Sequence, residues 1–130
     1  MDYLKRAVFL RYNVRRYRYN YFRLSSELSA KQNPNVGAIF MLGHSFLNDT
    51  MFLPLYELLE MMVQSIDKPF IYIQGDMHVF MVGNLFPSND NFLLVSVDAG
   101  GIADPMEVAV NVGSAVPFKI KRRPVSSIPL

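Results

Sequence analysis

The sequence lacks cysteine and tryptophan altogether and contains only two histidines, His44 and His78. Without cysteine the chain cannot be a disulfide scaffold, and any metal site must use His, Asp, Glu or Asn ligands. Of the 130 residues, 51% are hydrophobic. That share excludes intrinsic disorder, and the length is enough for one domain with a substantial core.

Long hydrophobic runs are also missing. The apolar stretch nearest the N-terminus is the four residues Ala7 to Leu10. A signal peptide needs about 7–15 apolar residues, and a membrane-spanning helix about 20. We therefore expect a soluble chain without a signal peptide or a transmembrane segment, in a compartment that the sequence does not identify.

The net charge is only +2, but the charges are unevenly distributed: few acidic residues lie near the two ends of the chain, and few basic residues lie in the middle. Residues 1–31 hold eight basic and two acidic side chains, residues 32–118 one basic and nine acidic, and residues 119–130 four basic ones. We interpret the basic ends as a solvent-facing helix and a charge-protected edge strand. Nucleic-acid binding by the arginines and tyrosines of residues 12–21 is an alternative.

The pattern of apolar residues predicts alternating helices and strands in a mixed α/β sheet with two main helices. No Pro or Gly interrupts residues 2–31, and their apolar residues recur at helical spacing, which predicts a first helix. The second helix is predicted at about 52–66, and strands at 36–42, 70–74, 79–82, 92–97, 107–112 and 118–121.

Three candidate metal ligands follow two of these strands. His44 comes directly after the strand at 36–42, and Asp76 and His78 come after the strand at 70–74. Ligands bind outside the carboxyl ends of the strands in open α/β sheets, and a His-Asp-His group suits a divalent metal. Both histidines are also compatible with ordinary loops, with Asp76 capping backbone amides. The spacing leaves both interpretations open.

The order of these segments resembles the C-terminal half of calcineurin-like metallophosphoesterases over about residues 20–122. The helix that ends near Leu28 looks like the one that this family places before its first C-terminal histidine. The segments that carry the resemblance are Ala38 to His44, Lys68 to His78, Asn91 to Val97 and Ile102 to Val110.

The resemblance implies a four-layer α/β/β/α sandwich that binds divalent ions of the Mn, Fe, Zn or Mg class. By position, His44 looks like the family's lone histidine ligand, and His78 like the second histidine of its last motif. Asp76 stands where the first histidine of that motif usually lies, and a carboxylate can also bind a metal.

The sequence departs from the family pattern before residue 38, where no Asp-x-His, Gly-Asp or Gly-Asn-His series is present. We therefore expect residues 1–122 to be the C-terminal half of such a domain, followed by a flexible tail at 123–130. In the complete enzyme, a metal-activated hydroxide would hydrolyse a phosphoester. We expect no full dinuclear site and no activity from this chain alone, and we assign no catalytic residue.

The alternative is a non-catalytic protein-interaction module built on the same half-fold. Apolar strands with too few partners leave open sheet edges, which invite self-association or pairing with another chain. The substrate of the completed enzyme would be a phosphoester, whereas a membrane partner has no support in the sequence.

Overall fold

The computed structural model describes residues 6–11, 33–44, 53–100 and 104–122, with backbone alone for 6–11, 53–55 and 58. These residues form seven strands and one helix. The helix α1 is Leu53–Ser65, and the strands are β1 (Arg6–Arg11), β2 (Val36–Leu42), β3 (Phe70–Gln74), β4 (Met81–Gly83), β5 (Phe92–Ser96), β6 (Met106–Val110) and β7 (Phe118–Arg122).

Five strands form a mixed sheet in the order β1-β2-β3-β5-β4. The first four of these are parallel to their neighbours, and β4 pairs antiparallel with β5 at one edge. Strands β2, β3 and β5 are almost uninterrupted apolar runs, as expected for parallel strands covered on both faces. Strands β6 and β7 form a separate antiparallel pair.

One face of the five-stranded sheet packs against α1. Alternate residues of β3 point to opposite faces, so Phe70 and Tyr72 join Leu59, Met62 and Val63 of the helix in one buried cluster. Because α1 connects the adjacent parallel strands β2 and β3, its apolar stripe closes a β–α–β unit.

The opposite face packs against the β6–β7 pair. Ile71 and Val95 from the sheet and Phe118 from β7 belong to a second buried cluster. The rings of Phe40 and Phe118 meet edge to face with centroids 5.6 Å apart. The described residues therefore form three layers, with the five-stranded sheet between the helix and the two-stranded sheet.

The predicted helix over residues 2–31 is wrong for residues 6–11, which form strand β1. The apolar core of this segment, Ala7 to Leu10, lies beside Ala38 to Met41 in a parallel register. Pairing with β2 supplies backbone hydrogen bonds from another strand, and this long-range contact overrides the local helical spacing. Residues 2–5 and 12–31 of the predicted helix, and the predicted tail at 123–130, lie outside the described residues.

The α/β class, the mixed sheet and the second predicted helix are confirmed. The helix runs over residues 53–65 rather than 52–66, and each predicted strand from 36 onward has a counterpart, the largest shifts being those of β4 and β6. In the part of the chain that the structure describes, no helix has both the length and the apolarity that a membrane crossing requires.

Candidate metal site

The carboxyl ends of β2 and β3 lie side by side because the two strands are adjacent and parallel. Their pairing continues beyond the strands: Gly43 N–H donates to the Ile73 carbonyl at 3.0 Å, and Gly75 N–H donates to the His44 carbonyl at 3.3 Å. These two bonds fix the loops that follow β2 and β3 against each other. They therefore determine where His44 lies relative to Gly75 and Asp76.

Gly43 is required at its position by a close approach of Tyr72. A Cβ atom built on Gly43 would collide with the Tyr72 hydroxyl and would lie 3.0 Å from two of its ring carbons. Tyr72 is fully buried, so its ring cannot move into solvent. The chain passes from β2 to His44 directly over this ring because residue 43 has no side chain.

His44 and Asp76 come together at this edge, with His44 Nε2 3.8 Å from Asp76 Oδ1. Metal–nitrogen and metal–oxygen bonds in proteins are about 2.0–2.2 Å, so both donors could reach one cation. The side chains are 76% and 50% exposed, respectively. The pair thus offers one nitrogen and one oxygen donor at a solvent-exposed position.

His78 lies two residues beyond Asp76 and is exposed, with a left-handed backbone conformation (φ 54°). Within the four described ranges, no three His, Asp or Glu side chains form a group that could hold a metal ion. The structure therefore brings His44 and Asp76 together without adding His78 as a third member. A metal role for the three residues stays a prediction.

Asp98 is a residue that the sequence reasoning did not single out. Its Oδ1 accepts a hydrogen bond from Phe80 N–H at 3.2 Å, and its Oδ2 lies 2.5 Å from a guanidinium nitrogen of Arg122. The Arg122 guanidinium carbon lies 4.8 Å from the centre of the Phe80 ring. Asp98 follows strand β5 as Asp76 follows β3, and this shared position was the available sequence signal.

Two buried polar side chains lie behind the loops. Gln74 and Ser96 end the neighbouring strands β3 and β5, are paired in register and are 1% and 0% exposed. In the described structure, neither the Gln74 amide nor the Ser96 hydroxyl has a hydrogen-bond partner. The carboxyl edge of the sheet therefore contains buried polar groups whose hydrogen bonds are unsatisfied in the described structure.

Comparison of the chain with protein-family models, with curated proteins and with solved structures finds no match.

Proposed function

We propose that this chain supplies metal ligands to a divalent-metal-dependent phosphoesterase of the calcineurin-like type. The observation that carries the proposal is the 3.8 Å approach of His44 Nε2 to Asp76 Oδ1. It occurs where two adjacent parallel strands end, which is where α/β sheets bind ligands. The four-layer sandwich and the contribution of His78 belong to the same proposal.

The donor set agrees with the metals proposed. A neutral imidazole and a carboxylate are ligands that Mn, Fe and Zn ions accept, and a carboxylate is also a ligand of Mg. A bound ion would supply Lewis acidity toward a phosphoryl oxygen. His44 and Asp76 would hold the ion, and the Gly75 N–H bond to the His44 carbonyl keeps the backbone of His44 in place.

The remaining ligands of a two-metal centre would come from residues outside this chain. Two ions about 3.5–4 Å apart need more ligands than His44, Asp76 and His78 provide. We therefore propose that the chain on its own binds at most one ion and does not turn over substrate.

Calorimetric titration of the 130-residue chain with Mn²⁺ tests this proposal. We expect one binding event per chain and a loss of affinity of at least tenfold in His44→Ala and Asp76→Asn, because each substitution removes one ligand. Glu57→Gln removes an exposed carboxylate from α1 and is the matched control, with unchanged affinity. Equal affinities in all four proteins would contradict the proposal.

An assay with p-nitrophenyl phosphate and Mn²⁺ tests the expected inactivity. Robust turnover that His78→Ala abolishes would show that the three ligands suffice and that the argument from missing motifs is wrong.

A non-catalytic interaction module is the second candidate function, and exposed apolar side chains at the β4 edge favour it. Residues 77–89 contain no Asp, Glu, Lys or Arg, so the same segment of a second copy would meet no charge repulsion. We therefore propose that a second copy of the chain binds at this edge. The oligomeric state of the chain in solution tests this proposal. The exposed side chains are Met77, Val79, Met81 and Val82.

A further inference from the structure

The loop that carries Asp76 and His78 is connected to the β6–β7 pair through the contacts of three side chains. It runs over residues 75–80, between β3 and β4, and ends at Phe80. The Phe80 side chain packs on the buried cluster that includes Phe118 of β7. The loop is therefore attached at its far end both to the sheet and to the β6–β7 pair.

Asp98 and Arg122 both contact Phe80, where the loop is attached. Asp98 uses one carboxylate oxygen for Phe80 N–H and the other for Arg122, while the guanidinium of Arg122 lies above the Phe80 ring. The Asp98 side chain is 26% exposed and that of Arg122 42% exposed, so the pair is partly shielded from water. Phe80 thus makes a charge-assisted hydrogen bond to Asp98 and a cation–π contact with Arg122.

We propose that Asp98 and Arg122 are positioning residues that set the conformation of the 75–80 loop and thereby the placement of His78. The consequence for metal affinity rests on the proposed function, whereas the effect on the loop does not. His78 stands in the left-handed region, which few non-glycine residues adopt. Phe80, two residues further on, is held by Asp98 and Arg122.

The variants separate the contacts that Asp98 makes. Asp98→Ala removes both the Phe80 hydrogen bond and the ion pair, whereas Asp98→Asn keeps an acceptor for Phe80 N–H and removes the ion pair. Arg122→Gln removes the ion pair and the cation on the Phe80 ring. Lys119→Gln is the matched control, because it removes one positive charge from the same strand, at an exposed position opposite Ala109.

Two readouts are measured on the full chain. NMR follows amide exchange of Phe80 and the His78 resonances without metal, and titration with Co²⁺ gives affinity and visible absorption bands. In Asp98→Ala we expect faster Phe80 exchange, displaced His78 resonances, a 10–100-fold loss of Co²⁺ affinity and altered bands. Asp98→Asn should lose less affinity than Asp98→Ala, and Lys119→Gln should match the wild type.

The two proposals fail differently. If the wild type binds no Co²⁺ but Asp98→Ala still moves the His78 resonances and exposes the Phe80 amide, the metal site is wrong and the positioning role stands. If Asp98→Ala and Arg122→Gln lower only the unfolding midpoint and leave His78, the Co²⁺ affinity and the bands unchanged, the positioning role is overturned.

Discussion

At the scale of single residues, the candidate site depends on which positions lack a side chain. Gly43 and Gly75 both lie where the loops after β2 and β3 meet, but their surroundings differ. A Cβ on Gly43 would overlap the buried Tyr72 hydroxyl, whereas a Cβ on Gly75 would lie 3.7 Å from Val97 and 3.8 Å from His44 Nδ1. The first is a collision and the second an ordinary van der Waals contact.

This difference predicts that two alanine substitutions affect stability to different extents. We expect Gly43→Ala to lower the free energy of unfolding by about 1–3 kcal/mol, because the buried ring of Tyr72 has to shift. Gly75→Ala should stay within about 0.5 kcal/mol of the wild type. Urea unfolding followed by circular dichroism measures both, and equal effects would mean that the approach of Tyr72 does not constrain residue 43.

At the scale of elements, the C-terminus of α1 is capped from a distant part of the chain. The Asn91 amide nitrogen lies 2.8 Å from the Ile66 carbonyl oxygen, 3.1 Å from that of Lys68 and 3.3 Å from that of Val63. The last carbonyls of a helix have no partner within the helix, so a side-chain donor there satisfies them. Asn91 directly precedes β5, and this cap therefore joins α1 to the start of that strand.

Substitutions of Asn91 test the cap. Asn91→Ala removes the donor, and we expect it to lower the free energy of unfolding by about 1–3 kcal/mol. Asn91→Asp should cost more, since a carboxylate has no donor and would face carbonyl oxygens at the negative end of the helix dipole. Asp90→Asn, at the exposed neighbouring position, is the control. In urea titrations, a milder effect for Asn91→Asp than for Asn91→Ala would contradict this account.

At the scale of the whole molecule, the β4 edge of the five-stranded sheet is accessible. Both faces of the five-stranded sheet are covered, one by α1 and the other by the β6–β7 pair. Among the described strands, β4 pairs with β5 alone, and its residues Met81 and Val82 are 38% and 45% exposed. An uncharged apolar edge is a template for pairing with another strand.

Self-association through this edge is therefore expected at high protein concentration. Size-exclusion chromatography with light scattering should show a dimer for the wild type, and Val82→Lys should shift it to monomer, since a lysine on an edge strand opposes pairing. Val116→Lys places the same charge at a 63% exposed position between β6 and β7 and should leave the dimer intact. A wild type that stays monomeric at all concentrations would remove the interaction-module alternative.

The sequence alone determined the β–α–β unit and most strands, because continuous apolar runs bounded by turn residues have few other stable arrangements in water. It also placed His44 and Asp76 at the ends of neighbouring strands. That residues 6–11 are a strand follows from long-range packing, because their partner is β2, some thirty residues away. The Asp98–Arg122 pair likewise joins residues 24 positions apart. Contacts of that kind depend on how the layers pack, which local spacing does not record.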